Sequence, residues 1–307
     1  MDATLPIEVL DLLKQYRGSV RPALDEVSLE VHQGEVVGLV GLNGAGKTTL
    51  LRTIAGLLRP NSGTVKVCGN DIRTQKVQAS LPLGFVPEFP AYNPTERILA
   101  ILRFHAGYYG WDDEEARSRS LSLLRTVGLD SDPRLRYRAL SQGMQKRFAL
   151  AAALLGDPQV LLLDEILNGL DTEGLLVVRK LIRDLRGRGG AILLSSHVLP
   201  EIQALCDRIA ILDRGVLVRV VDRAELTSGR IETLRVTLAD NPTSAVEFLR
   251  TFGRTEQIEG EILVYHPSSS PEEINAALLK AGFRVRSLGW ETVSLQDVFH
   301  ETLGLKP

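Results

Sequence analysis

The sequence predicts an α/β fold, a mostly parallel sheet covered by helices on both faces and followed by a small second α/β module. Three observations predict it. Val36-Val37-Gly38-Leu39-Val40, Val160-Leu161-Leu162-Leu163 and Ala191-Ile192-Leu193-Leu194 are short, uninterrupted apolar runs, as expected of parallel strands buried on both faces. Gln142 to Leu155 and Glu173 to Leu185 carry helical periodicity beside those runs, and strands alternating with helices build a parallel sheet. After Gly215 the texture changes to alternation, with Leu234, Val236 and Leu238 separated by polar residues.

Taken in order, the first apolar run feeds a Gly-rich turn and then Leu50, Leu51, Ile54 and Leu57 at helical spacing, a strand–loop–helix unit. Residues 92–127 read as a helical insert. Asn93-Pro94-Thr95-Glu96 resembles a helix start, and Leu121, Leu124 and Val127 mark a second helix. In the C-terminal part, Phe283 and Val285 alternate with polar residues and Ile262 to Tyr265 reads as a strand. Pro271 to Ala281 reads as a helix with Ser270 as N-cap and Gly282 as its stop. Ser294-Leu295-Gln296-Asp297 has the form of a capping box for a last short helix.

Length and composition limit the function classes. The 307 residues suffice for about two domains, and 44% hydrophobic with 24% charged residues excludes a disordered or collagen-like chain. A net charge of −2 leaves no basic excess to hold nucleic acid or acidic lipid nonspecifically. Cys68 and Cys206 are too few for a disulfide framework or a four-cysteine zinc site and read as small buried apolar residues in a reducing compartment. Met1 to Leu10 contains Asp2 and Glu8 and has no basic n-region, so no signal peptide is expected. The most apolar region, Phe148 to Ile166, is broken by Asp157, Pro158, Asp164 and Glu165, so no membrane span is expected.

Chemistry concentrates first at Gly41-Leu42-Asn43-Gly44-Ala45-Gly46-Lys47-Thr48, followed by Thr49. It fits G-x-x-x-x-G-K-[ST] between a strand and a helix. The glycines let backbone N–H groups curl around a phosphate, and the following helix aims its positive end at the same anion. Lys47 is placed to neutralise β- and γ-phosphates and the Thr48 hydroxyl to ligate Mg²⁺. Asp164 and Glu165 end an apolar strand, where open α/β sheets bind ligands. Asp164 is then expected to hold Mg²⁺ through water, and Glu165 to act as general base on the attacking water.

Further motifs stand in a fixed order around these two. Leu140-Ser141-Gln142-Gly143-Met144-Gln145-Lys146-Arg147 begins before the acidic strand, with Ser141 23 positions ahead of Asp164. Asn168-Gly169-Leu170-Asp171 follows the strand, Ser195-Ser196-His197 ends the next one, and Tyr16 lies 25 positions before Gly41. Over about residues 5–225 the chain resembles the nucleotide-binding subunit of an ABC transporter, whose signature, D-loop, switch histidine and adenine-facing aromatic these segments match in order.

The resemblance implies a P-loop NTPase cassette over residues 1–224, with N-terminal antiparallel strands and a helical insert of about 90–155, and an accessory α/β domain over 225–307. It implies ATP and Mg²⁺ as ligands. It also implies a head-to-tail dimer, here a homodimer, in which Ser141, Gln142, Gly143, Met144 and Gln145 face the γ-phosphate held by the partner's loop and Asp171 crosses the seam. His197 would bind the γ-phosphate and orient the water. Tyr16 would stack on adenine, worth about 1–3 kcal/mol by analogy with base–aromatic stacking. The partner implied is a separately encoded transmembrane permease, and the location the cytoplasmic face of the cell membrane, reached only through that partner.

Departures from the family pattern are visible. Phe85-Val86-Pro87-Glu88 places Glu88 where the family commonly has a Mg²⁺-binding Gln, a form that resembles drug, polysaccharide and sodium exporter cassettes. Gln142 replaces a glycine of the signature, and Ile166-Leu167 replaces Pro-Thr, which is expected to expose apolar surface near the D-loop. Phe89, Tyr92, Phe104, Tyr108, Tyr109 and Trp111, in the insert and just before it, are candidates for a partner surface or for core packing. A soluble ABC-type ATPase acting on a non-membrane partner is the alternative. Those that act on ribosomes or DNA carry two cassettes or a long coiled coil, and here there is one phosphate loop, no heptad run and no basic tract.

Overall fold

The computed structural model describes residues 4–132, 134–223, 230–239, 243–258, 260–292 and 295–304. Met1–Val221 forms one compact unit and Asp222–Pro307 a second. The expected boundary between residues 224 and 225 lies outside the described residues.

The first unit opens with strands β1 (Ile7–Lys14), β2 (Leu24–Val31) and β3 (Val36–Val40), helix α1 (Lys47–Ile54), strands β4 (Ser62–Val67) and β5 (Asn70–Asp71), helix α2 (Lys76–Ser80) and strand β6 (Leu83–Val86). β1 pairs antiparallel with both β2 and β4, giving a small sheet of order β2-β1-β4-β5. In β2 the residues Val27, Leu29 and Val31 are buried while Ser28 and Glu30 are exposed, the period-two signature of a sheet with one wet face. Leu57 is not part of α1. The helix ends at Ile54, Gly56 turns the chain with a φ of 69°, and Leu57 is exposed.

Helices α3 (Ile98–Ala106), α4 (Asp113–Thr126) and α5 (Gln142–Ala153) form the insert. Asn93-Pro94-Thr95-Glu96 does not start a helix. Pro94 disfavours helical backbone at Asn93, whose side chain instead accepts the Thr95 N–H (3.1 Å) and hydroxyl (2.9 Å) in a turn, and α3 begins only after the extended Arg97. Asp112 caps α4 by accepting the Glu115 N–H at 2.8 Å. Phe148 of α5, fully buried, packs edge-on against Tyr92 and Tyr137 with ring centroids 5.0 and 5.6 Å away. Tyr92 is half-buried, its ring edge-on to His105, Tyr137 and Phe148, and burial pushes its phenol up to about 12.

Strand β7 (Val160–Leu163), helix α6 (Thr172–Gly187), strand β8 (Ala191–Ser195), helix α7 (Leu199–Leu205) and strands β9 (Arg208–Asp213) and β10 (Val216–Asp222) complete the unit. The main sheet runs β10-β9-β3-β8-β7-β6, parallel from β9 through β6. β3, β7 and β8 are buried at every residue, which accounts for their continuous apolar runs. Cys206 is buried, but Cys68 is only half-buried, its thiol 3.7 Å from Gln159 Oε1, because Cys68 sits in a left-handed turn at the end of β4 rather than inside the strand.

The second unit has strands β11 (Arg230–Leu238), β12 (Arg254–Ile258), β13 (Glu261–Tyr265) and β14 (Val285–Thr292) in the antiparallel order β12-β13-β11-β14. Leu234, Val236, Ile262 and Val264 pack against Ile274 and Leu278 of the helix Pro271–Lys280, which carries the full Ser270/Glu273 capping box. β12 is an edge strand of mostly exposed residues, so it left no apolar pattern to read. Ser294, the expected cap of the last helix, lies outside the described residues, and the helix itself spans Leu295–Leu303.

Candidate active site

β3 and α1 are joined by the phosphate-loop motif, and its shape requires glycine at two points. A Cβ on Gly41 would press into the Leu212 carbonyl, and one on Gly46, at φ 111°, into the Ala23 carbonyl. Gly46 is the N-cap of α1, so Lys47, Thr48 and Thr49 supply the first helical turn. The Lys47 ammonium donates to the Gly41 carbonyl at 2.7 Å and lies 3.6 Å from Glu165 Oε1, with both side chains under a tenth exposed.

β7 and β8 are in register at Leu163 and Leu194, which sets Asp164 beside Ser195. The Ser195 hydroxyl donates to Asp164 Oδ1 at 2.8 Å and accepts the Glu165 N–H at 2.9 Å. The Thr48 hydroxyl also donates to Asp164 Oδ1, at 3.1 Å. Burial pushes the Asp164 carboxyl above its ordinary range, opposed by the hydrogen bonds from Ser195 and Thr48 and assisted by the negative Glu165. Its other oxygen, Oδ2, is buried without a partner.

That orphaned oxygen beside the Thr48 hydroxyl fits a hard cation. Among the described residues no three His, Cys, Asp or Glu side chains cluster as a metal cage. Mg²⁺ suits such a site, since it takes few protein oxygens and keeps water or phosphate oxygens in its sphere.

Glu165 adopts a left-handed backbone with φ 47°, an uncommon conformation for a side chain with a Cβ. Its Oε2 accepts from Asn168 Nδ2 at 2.7 Å and lies 3.1 Å from His197 Nδ1, which is 3.2 Å from the same Asn168 nitrogen. The His197 side chain is otherwise exposed.

These groups open onto one cleft of 480 Å³, lined by Tyr16, Ala23, Asn43, Gly44, Ala45, Gly46, Lys47, Thr48, Thr49, Glu88, Glu165, Asn168 and His197. Eleven of these thirteen were read from sequence as site residues. Asp164 lies beneath, bonded to Thr48. The Tyr16 hydroxyl is 3.3 Å from Thr49 Oγ1, and the Lys14 ammonium lies 5.4 Å from the Tyr16 ring centroid. A larger cleft of 640 Å³ lies at the other end of β7 and β8, lined by Gln33, Cys68, Gln159 and Arg188 among others, and holds none of this chemistry.

Apart from Asn168, the signature and D-loop residues lie outside the cleft. Ser141 caps α5 by accepting the Met144 N–H at 3.2 Å, and Gln145 donates to the Leu140 carbonyl at 3.2 Å. A Cβ on Gly143 would meet the Gly169 carbonyl oxygen at 3.4 Å, and one on Gly169 would meet Gln142 Oε1 at 3.5 Å. Asp171 caps α6, accepting the Gly174 N–H at 2.8 Å. Ser141, Gln142 and Asp171 are exposed. Ile166 and Leu167 do not expose apolar surface. They are 0% and 4% exposed, turned into the core by the left-handed bend at Glu165.

Three residues with roles here were missed in the sequence reading: Ser195, Asn168 and Lys146. The parallel register would have flagged Ser195. Lys146, flanked by Gln145 and Arg147, carried no such signal; it is 2% exposed and donates to the Glu165 and Asn168 carbonyls, each at 2.7 Å. Burial pulls its ammonium down, while the carboxylates of Glu88, Glu165 and Asp164 hold it up.

Comparison with known proteins agrees with this geometry. The ABC transporter family model matches residues 24–168. The Nod factor export ATP-binding protein I of Burkholderia pseudomallei (strain 1710b) is 32% identical over 305 residues, covering 97% of each chain. The uncharacterized ABC transporter ATP-binding protein YhcH of Bacillus subtilis (strain 168) is 30% identical over 305 residues, covering 97% of this chain and 96% of that one. Among solved structures, an ATP-binding subunit of an ABC transporter superposes with a TM-score of 0.67 at 29% identity, over 73% of this chain and 92% of its own. At this identity and coverage the chain belongs to the ATP-binding subunits of ABC transporters.

Proposed function

We propose that this ABC ATPase subunit powers export, and that hydrolysis runs through the residues of the 480 Å³ cleft. The observation that carries the reading is the convergence of Lys47, the Thr48–Asp164 pair and the Glu165–His197 pair on that cleft. Lys47 and the loop N–H groups hold the β- and γ-phosphates. Thr48 and Glu88 would hold a Mg²⁺ ion directly and Asp164 would hold it through water, and the ion would supply charge neutralisation to the phosphates. Glu165 takes a proton from the water that attacks the γ-phosphorus. The bond from that phosphorus to the β–γ bridging oxygen breaks, releasing ADP and phosphate. His197 orients the γ-phosphate and the water, and Tyr16 stacks on the adenine.

Exposed Ser141, Gln142 and Asp171 complete the cleft of a second copy in a head-to-tail homodimer, with Gly143, Met144 and Gln145 in the same turn. Export is supported by the names of the relatives, several of which are Nod factor export proteins. The partner is a separately encoded transmembrane subunit. It docks on the insert and the loop before it, where Phe89, Phe104 and Tyr108 are exposed. No described helix is long and apolar enough to cross a membrane, in keeping with attachment to the cytoplasmic face through that subunit.

The test is Glu165→Gln. ATP binding persists and hydrolysis falls by roughly 10²–10⁴-fold, the usual contribution of a general base. Normal turnover in that variant ends the base assignment.

A further inference from the structure

We propose that Lys146 is a positioning residue for ATP hydrolysis, holding the turn from Glu165 to Asn168 so that the Glu165 carboxylate stays aimed into the cleft. The proposal rests on the reading of Glu165 as the base. Glu165 bends the chain in the left-handed region, a conformation that persists only where its surroundings over-determine it. Two bonds do so. Ser195 Oγ accepts the N–H on one side of the residue at 2.9 Å, and Lys146 Nζ donates to the carbonyl on the other at 2.7 Å. The same ammonium donates to the Asn168 carbonyl at 2.7 Å, at the far end of the turn, where the Asn168 N–H reaches back to the Glu165 carbonyl at 3.3 Å. Asn168 in turn donates from its side chain to Glu165 Oε2.

One buried cation thus fixes both the backbone of the base and the backbone of the residue that orients its carboxylate. Burying an ammonium away from water is unfavourable, and here its hydrogen bonds go to this turn. Lys146 sits on α5, whose N-terminus is the Ser141–Gly143 turn. The clamp therefore ties the base that serves this chain's own cleft to the helix offered to the second copy, and a displacement of α5 is passed to Glu165.

The experiment compares K146M, K146Q and E165Q in the full-length chain, with steady-state ATPase rates, equilibrium ATP·Mg²⁺ binding and thermal melting. K146M, apolar and of similar length, lowers kcat by roughly 10²-fold, as expected of a misplaced catalytic group, and leaves ATP affinity within about threefold of wild type. K146Q keeps two N–H donors, one bond closer to the backbone than the ammonium, and recovers at least about tenfold of that loss. The proposal is overturned if K146M turns over normally, if affinity falls in parallel with kcat, if K146Q is as slow as K146M, or if neither variant melts cooperatively. Normal turnover in E165Q removes the base assignment and this proposal with it. An inactive E165Q beside a normal K146M removes this proposal alone.

Discussion

Ser195 and Asp164 share a hydrogen bond of 2.8 Å, and the same serine oxygen accepts the N–H of Glu165. One hydroxyl thus orients the proposed Mg²⁺ ligand and pins the backbone of the proposed base. Ser195→Ala leaves a buried N–H unpaired, which costs about 1–3 kcal/mol of stability. It also frees the Asp164 carboxylate to rotate, so the Mg²⁺ concentration that supports half-maximal ATPase rises roughly 10–100-fold, as for other groups that orient metal ligands. A Mg²⁺ titration of the ATPase rate checks this, and an unchanged half-point refutes it.

Lys47 pairs with Glu165 and faces the same cleft as Asn43, Gly44, Ala45 and Gly46 of its loop. Lys47→Ala weakens ATP binding by at least ~10-fold, since the charge on the β- and γ-phosphates loses its ammonium. Calorimetric titration with ATP·Mg²⁺ reads the change directly; an unaltered Kd removes the phosphate-loop assignment.

Asp164 is fully buried, and that burial holds its carboxyl above the ordinary carboxylate range. The native state therefore keeps this proton to higher pH than the unfolded chain does. As pH rises from the unfolded value through the folded one, this group withdraws stability. Asp164→Asn removes that loss. Without added nucleotide or metal, the variant is more stable than wild type by about 0.5–2 kcal/mol near neutral pH, a gain made at the expense of function, and the difference shrinks on acidification. Denaturant unfolding of both proteins across the acidic range tests the sign.

Phe104 and Tyr108 are 68% and 74% exposed, with ring centroids 5.7 Å apart. Substituting both by Ser changes stability by only about 0.5 kcal/mol per site, as for surface residues. The ATPase rate of the isolated chain stays within about twofold of wild type, while retention on membranes that contain the transmembrane subunit is lost. Full retention moves the docking surface elsewhere.

The cleft was legible because its residues lie in short segments with strong spacing, the phosphate loop and the acidic strand end above all. The buried strands were legible because their apolar runs coincide with β3, β7 and β8. What escaped was long-range or weakly patterned. Lys146 acts on carbonyls 19 and 22 positions away, and a backbone carbonyl leaves no mark in a sequence. The burial of Ile166 and Leu167 follows from the positive φ of Glu165, which residue types alone do not announce. β12 escaped because an edge strand needs few apolar residues. Asn93 misled because a side chain that can cap a helix can equally close a turn.

The central claim is a composite site in which Glu165 acts as base on ATP held between two copies. Light scattering on size-excluded Glu165→Gln, with and without ATP·Mg²⁺, tests it most directly. A shift from monomer to dimer mass on adding ATP·Mg²⁺, reversed when the nucleotide is removed, is the result the account predicts. A species that binds ATP yet remains monomeric at every nucleotide concentration contradicts a homodimeric composite site.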